Sequence, residues 1–298
     1  METLKKTNST EPLVSVVIPF YRHADWLMEA VESVKSQTYT QYEIIIVNDG
    51  SDEDVSCLLE KYQDIRYCYQ DNHGAGSARN KAISESKGDY IAFLDSDDLW
   101  LPDKLSKQVE YMESHPEIVW SHCSYETFGN NEHSVMMSNK AQGNMFPVCM
   151  ASCRIATPCV IIRRNVLIED SELRFNESMR YGQDFYLWVL LCKKYFLGNQ
   201  DEILTRVRIR GSNAAKRAFV MVKAKSELAS CLKQLPAFLW KSLPFLIRSA
   251  YGICGCAFSV LVAFQKICKN EKVIEFLAKC LYVLPYGLLK IYLHGKKK

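Results

Sequence analysis

The sequence predicts an α/β protein: a Rossmann-type, mainly parallel sheet flanked by helices, followed by a basic, apolar helical tail. Three observations carry that prediction. Short buried β-branched runs alternate with helical patterns through the first two hundred residues, an order that gives parallel strands joined by right-handed crossovers. Polar residues collect at the carboxyl ends of those runs, with Tyr21 after the first, Asp49 after the second, and Asp95 and Asp97 after the fourth. Open sheets of this kind bind ligands there. Beyond Gly211 the alternation stops, and residues 216–298 carry 15 Lys and Arg against 3 Asp and Glu, compared with 22 against 31 in residues 1–215.

Leu13–Phe20 (LVSVVIPF) is a short apolar run ending near a proline, which reads as a buried parallel strand. Ala24–Ser36 places Trp26, Leu27, Ala30, Val31 and Val34 at helical spacing. Glu43–Val47 (EIIIV) is a second buried strand, running into Asn48-Asp49-Gly50-Ser51, a tetrad suited to a turn or a helix cap. Ile65–Tyr69 reads as a third strand, Ala75–Ser86 as a helix and Asp89–Leu94 as a fourth strand. A less regular stretch includes Asn130–Gly143. It is followed by a strand at Cys159–Ile162, a helix around Tyr181–Lys194 and a strand through Ile203–Ile209.

With 298 residues and 48% hydrophobic content, the chain can bury one large core or one core plus an appendage. Met1–Glu11 has a basic pair but no apolar stretch, so it reads as a short leader and not a secretory signal. The 12 cysteines form no CxxC pair; scattered in this way they are expected to act as small buried apolar residues in a chain facing the cytosol, not as a zinc or disulfide framework.

The strongest local signal is Phe93-Leu94-Asp95-Ser96-Asp97-Asp98, where an apolar strand delivers three carboxylates within four residues. Crowded carboxylates repel unless a cation joins them, and hard oxygens suit Mg²⁺ or Mn²⁺. Asp98 can instead cap a helix starting near Leu101-Pro102. Gly74–Asn80 (GAGSARN) is neither a dinucleotide fingerprint nor a phosphate loop with its lysine, which argues against hydride transfer and nucleotide hydrolysis. Arg79 on the following helix can reach a phosphate, or be a solvated helix residue. Asp184 opens an amphipathic helix and is either its N-cap or a carboxylate able to take a proton.

The set Ser15–Arg22 (SVVIPFYR), Val47–Ser51 (VNDGS), Gly74–Asn80 and Phe93–Asp98, in this order and spacing, resembles the family 2 inverting glycosyltransferases with the GT-A fold. Thr157–Val166 (TPCVIIRRNV) is similar to that family's acceptor-side strand, and Tyr181–Trp188 (YGQDFYLW) to its Gly-Glu-Asp helix. The resemblance covers roughly residues 13–213 and implies a GT-A domain at 1–215, with a nucleotide-binding half at about 13–105 and an acceptor half at about 106–215.

Carried over by motif position, the resemblance implies that Pro19, Phe20 and Tyr21 border the base and ribose and that Asp49 bonds the base. Arg79, Asp95 and Ser96 would hold the donor, Asp97 with Asp95 would bind Mg²⁺ or Mn²⁺, and Asp184 would be the general base. The donor would be a UDP-sugar of the hexosyl or N-acetylhexosaminyl type and the acceptor a saccharide or lipid-linked saccharide. Surface polysaccharide or glycolipid assembly would be its setting.

Two residues depart from the family's pattern. Gln183 stands where Glu is usual, and Arg210 stands where a His often approaches the metal. Arg cannot ligate a cation but can bind phosphate, so Arg210 is expected on the diphosphate. These departures leave room for a catalytically inactive nucleotide-sugar-binding or membrane-assembly protein.

In the tail, apolar clusters alternate with Lys and Arg, and Pro236, Pro244 and Pro285 are expected to break it into short helices. The 17 uncharged residues between Arg248 and Lys266 are at the short edge for a membrane span. Residues 216–298 therefore read as a membrane-associating tail, peripheral at the inner face of the cell membrane, or as a helical appendage on the first domain. No nucleic-acid motif accompanies the basic charge.

Overall fold

The computed structural model describes residues 11–130, 133–153, 155–210, 217–235 and 240–296. The leader before Glu11, Gly211–Asn213 of the last motif, Pro236, Lys297 and Lys298 lie outside the described residues. In chain order the elements are β1 (Val14–Phe20), α1 (Ala24–Lys35), β2 (Tyr42–Asp49), α2 (Ser56–Lys61), β3 (Arg66–Gln70), α3 (Ala75–Glu85) and β4 (Tyr90–Phe93). There follow β5 (Leu99–Trp100), α4 (Lys104–Ser114), β6 (Trp120–Phe128), β7 (Val135–Met136), α5 (Val148–Ala151), β8 (Val160–Arg163), α6 (Arg164–Glu169), α7 (Gln183–Lys194) and β9 (Leu197–Arg208). The last three helices are α8 (Ala218–Gln234), α9 (Phe245–Gln265) and α10 (Glu271–Gly295).

One nine-stranded sheet runs β3-β2-β1-β4-β8-β6-β9-β5, with β7 on β6. Its first four strands are parallel; β8 turns the sheet antiparallel against both β4 and β6, and β6 and β9 pair parallel again. The first four strands thus have the expected parallel order, and the sheet beyond β4 is mixed. β1 is buried along its whole length, as a β-branched run between two neighbours must be.

The chain moves outward from β1 to β3 and then returns to the other side of β1 as β4. This is a topological switch point, where a crevice opens beyond the strand ends. The registers show the opening: β1 pairs β2 as far as Phe20, but pairs β4 only from Val14 to Val17. Pro19 lies past that last β4 partner, so its missing N–H costs the β4 ladder nothing.

α1 buries Leu27, Ala30, Val31 and Val34. Its N-terminus is held by Glu53, which accepts from the N–H groups of His23 (3.0 Å) and Ala24 (2.7 Å). Trp26 is not a core residue; its ring stacks on His23 at 4.0 Å between centroids, at the crevice.

β6 was not legible from the sequence. Trp120–Phe128 (WSHCSYETF) has no apolar run, yet Trp120, Ser121, His122, Cys123 and Ser124 are buried. Strand neighbours on both sides take its backbone groups, and Ser124 and His122 find Ser138 (3.0 Å) and the Ala141 carbonyl (2.7 Å).

The tail differs from expectation. Pro244 caps α9, a continuous helix of 21 residues, and Pro285 lies buried inside the 25-residue α10 without ending it. Both helices are long and apolar enough to cross a membrane. The tail also packs into the main core: Leu228, Leu232, Ile247, Tyr251 and Leu289 join the cluster around Trp120, Leu187 and Trp188, and the Tyr251 hydroxyl donates to the Met150 carbonyl at 2.8 Å. Glu275 of α10 caps α8 by accepting from the Ala218 and Phe219 N–H groups.

Candidate active site

The crevice at the switch point is a cleft of about 730 Å³, within the usual range for a small-molecule site. From the end of β1 and the residue after it come Pro19, Phe20 and Tyr21, and from the end of β2 comes Asp49. Arg79 of α3 forms one wall, Asp95, Ser96 and Asp97 form the floor after β4, and Arg210 arrives after β9. The structure therefore brings every residue expected on the donor side into one cleft. It adds Trp26, Arg180 and Gln183, which sequence reasoning had not placed there.

Asp49 is buried and its two oxygens carry three hydrogen bonds. Oδ1 accepts from Gln70 Nε2 (2.8 Å) and the His73 N–H (2.9 Å), and Oδ2 accepts from the Gly74 N–H (2.8 Å). The turn beside it needs glycine at position 50. Gly50 has φ +78°, and a Cβ there would meet the Asn72 nitrogen at 2.8 Å. Asp49 thus fastens β2 to the start of α3 while its edge faces the cleft.

The three carboxylates after β4 have separate partners. Asp95 pairs with Arg79, which is buried and not solvated, its guanidinium 5.2 Å from the Phe175 ring centroid. Asp97 pairs with Arg210 Nε at 2.9 Å. Burial and then the charge of Asp95 push the Asp97 carboxyl above the ordinary carboxylate range, against the pull of Arg210. Asp98 is no helix cap, since α4 starts at Lys104 behind Asp103. It is buried instead and accepts from the Arg208 N–H at 2.8 Å, tying the acidic run to β9. Burial, then Asp97 and Asp95, raise its carboxyl well above the ordinary range.

This donor set fits a hard divalent cation. Two carboxylates face the cleft in surroundings that disfavour their joint ionisation, which a cation would relieve. Among the described residues no group of three or more His, Cys, Asp or Glu side chains could hold a metal ion, so the rest of a coordination shell would come from phosphate and water, the habit of Mg²⁺.

A second cavity, about 620 Å³, shares Asp95 and Tyr181 with the first. Asp184 lines it. The N-cap of α7 is Gly182 (φ 76°) and not Asp184, which occupies the second helical position. Asp184 Oδ2 accepts from Thr157 Oγ1 (3.2 Å) and Oδ1 from the Phe185 N–H (2.8 Å). Gln183, with its amide oriented to satisfy both contacts, links the Arg180 carbonyl (3.2 Å) and the Gly76 N–H (3.3 Å).

The outer wall of the second cavity comes from the tail, with Val220, Met221, Ala224 and Lys225 on α8 and Tyr282, Tyr286, Leu289, Lys290 and Leu293 on α10. Of residues 130–150, within the half expected to take the acceptor, Met136 is the one described residue lining this cavity. Thr157 carried a signal in its motif; the tail's contribution had none.

The sequence model of the family described as glycosyl transferase family 2 matches residues 15–170. An uncharacterized glycosyltransferase of Rickettsia bellii is 40% identical over 205 residues, 67% of this chain but 29% of that protein, so the chain spans under a third of its length. The Escherichia coli protein WfaP is named a UDP-Glc:alpha-D-GlcNAc-diphosphoundecaprenol beta-1,3-glucosyltransferase. It is 33% identical over 225 residues, covering 73% of this chain and 86% of WfaP. Among solved structures, TarS 1-349 of S. aureus, crystallised with UDP-GlcNAc, superposes with a TM-score of 0.60 at 14% identity over 95% of this chain and 92% of that one. At that identity the likeness concerns the fold alone.

Proposed function

The chain belongs to glycosyl transferase family 2, and from that premise we propose that it moves a hexosyl or N-acetylhexosaminyl group from a UDP-sugar to an acceptor hydroxyl with inversion. The observation that carries the reading is the junction of the two cavities at Asp95 and Tyr181, with the acidic run on one side and Asp184 on the other. A donor in the first cleft and an acceptor in the second meet there.

In this reading the rim formed by Pro19, Phe20 and Tyr21 receives the base and ribose, with Asp49 beside the base. Arg79 pairs with Asp95 and holds it in place, and Ser96 lies between the two acids. Asp95 and Asp97 would hold Mg²⁺ or Mn²⁺, which when bound supplies positive charge to the departing diphosphate. Arg210, already paired with Asp97, offers the diphosphate a planar donor fork. Asp184 accepts the proton of the acceptor hydroxyl as its oxygen attacks the anomeric carbon and the bond to the diphosphate breaks. One displacement inverts that carbon and releases UDP. Thr157 holds the carboxylate in position.

The acceptor is a saccharide, and WfaP, whose name specifies a diphosphoundecaprenol-linked sugar, favours a lipid-linked one. The described tail fits a peripheral position on the cytoplasmic face of the cell membrane. Ile267, Phe276, Val283, Leu284 and Ile291 are exposed on α10 and its junction with α9, with Lys266, Lys269, Lys272 and Lys279 along the same segment. On this reading residues 1–215 form the catalytic domain and residues 216–298 a membrane-associating unit that also closes the acceptor cavity.

The test is calorimetric titration of UDP with and without Mn²⁺ on the wild type and on Asp97→Ala. Metal-dependent binding that disappears in the variant is the expected result. A wild type that binds neither UDP nor any other nucleoside diphosphate would remove the reading.

A further inference from the structure

Lys225 is a misfit in its surroundings. It projects from α8 and is only 6% exposed, yet no hydrogen bond or ion pair joins it to any described residue. Its neighbour Lys223 pairs with Glu227 Oε1 at 3.7 Å, and no hydrogen bond or ion pair joins Lys225 to that carboxylate. The Lys225 ammonium lies 5.2 Å from the ring centroids of both Phe185 and Tyr251. Such contacts offset only part of the cost of burying an unpaired ammonium. Burial accordingly pulls its pKa below the ordinary lysine value, with only the Cys254 and Cys153 thiols opposing.

A second buried lysine gives the contrast. Lys104 is also without a hydrogen-bond partner, lies 3.7 Å from the Trp100 centroid and lines neither cavity, so no ligand can reach it. Lys225 lines the 620 Å³ cavity that holds Asp184. That cavity is polarised. Its carboxylates (Asp95, Asp98 and Asp184) come from α7 and the segment after β4, and its ammonium groups (Lys225 and Lys290) from α8 and α10. Apolar and aromatic side chains of α10, including Tyr282, Leu289 and Leu293, surround the basic side.

We propose that Lys225 is an anion-binding residue of the acceptor cavity, and that the acceptor presents a phosphate or diphosphate ester to it while its hydroxyl faces Asp184. This inference rests on reading the cavity as the acceptor side. Two ammonium groups match a diphosphate in charge, and the compact, hydrated lysine head is suited to phosphate as a point charge. The group completes a charge pair that the protein alone leaves open. The same chemistry can come from a prenyl diphosphate at a membrane or from a soluble sugar phosphate.

The test uses the full chain and two probes, geranyl diphosphate in detergent below its micellar concentration and inorganic pyrophosphate. Affinity is measured by calorimetry with the donor cleft occupied by saturating UDP, for wild type, Lys225→Met and Lys225→Arg. The expected result is binding to the wild type that weakens at least about tenfold in Lys225→Met and stays within about threefold in Lys225→Arg, with UDP affinity equal in all three. Geranyl diphosphate binding far above pyrophosphate identifies a lipid source; equal binding of the two identifies a free phosphate.

Lys225→Met binding either probe as tightly as wild type, or a wild type that binds neither, overturns the proposal. Because Lys225 lines the acceptor cavity and not the donor cleft, the difference between the proteins reads this cavity alone. Failure of UDP to bind would instead count against the donor site. Lys225→Met replaces a desolvated charge with an apolar chain of similar length, so its melting temperature is expected to match or exceed wild type; Lys225→Gln is the fallback should it not fold.

Discussion

Replacing Asp49 with alanine separates two roles that one carboxylate performs. The change removes the acceptor for Gln70 Nε2, the His73 N–H and the Gly74 N–H, all within 2.8–2.9 Å. Hydrogen bonds to a charged group contribute about 1.5–3 kcal/mol each. Water entering from the cleft replaces part of what is lost, so the expected destabilisation is about 3–4 kcal/mol, less than the simple total. For a chain of this size that is a fall in melting temperature of roughly 5–6 °C. The assay is differential scanning fluorimetry beside UDP calorimetry, with Asp49→Asn as the intermediate case, since one amide oxygen still accepts. Asp49→Ala should lose both stability and UDP affinity. A melting temperature within 2 °C of wild type would refute the reasoning, because it would mean the carboxylate does not hold the turn before α3.

Three further outcomes are expected. Asp184→Asn should leave Mn²⁺-dependent UDP binding and the melting temperature unchanged but lower transfer at least about a hundredfold; near-normal turnover would exclude it as the base. Lys104 is fully buried, and its pKa is lowered by that burial to about 7 from an ordinary 10.5. A base depressed on folding costs stability in full below its folded pKa and stops doing so as pH rises toward the unfolded value. Wild type should therefore gain up to about 1.4 kcal/mol per pH unit between pH 7 and 9 relative to Lys104→Met, measured by urea unfolding; parallel profiles would count against a neutralised lysine.

For the tail, deleting residues 216–298 would open the main core, so surface changes are the cleaner probe. Ile267→Asp combined with Phe276→Asp alters side chains 86% and 69% exposed. It should reduce co-sedimentation with phosphatidylglycerol vesicles at least about tenfold, since each apolar side chain is worth about 1.5–3 kcal/mol on burial. Unchanged sedimentation would place the membrane contact elsewhere.

What the sequence disclosed and what it hid divide along physical lines. β1, β4 and residues 44–47 at the centre of β2 are almost wholly apolar runs, because strands covered on both faces have no solvent side. The acidic run, Asp49 and Asp184 were legible because short local motifs placed them at strand and helix ends. β6 was hidden because a strand can bury serine and histidine when partners are supplied from distant segments, as Ser138 and Ala141 do.

Pro285 misled because its helix-breaking tendency, worth about 3 kcal/mol or more, is a local preference, whereas α10 is held by packing along both α8 and α9. The tail's part in the second cavity depends on bringing residues about a hundred positions apart, such as Phe185 and Tyr282, into one lining, and no local pattern encodes that.

The match to the family's sequence model ends at residue 170, while α8 and α10 supply one wall of the cavity beside Asp184. The machine is therefore modular in an unusual place. On the proposed reading, most of the donor cleft lies inside the matched span, whereas the acceptor cavity takes one wall from helices beyond it. On that reading, grafting another protein's terminal helices onto this core is expected to change the acceptor and spare the donor cleft, and a comparison confined to residues 15–170 would not register the exchange.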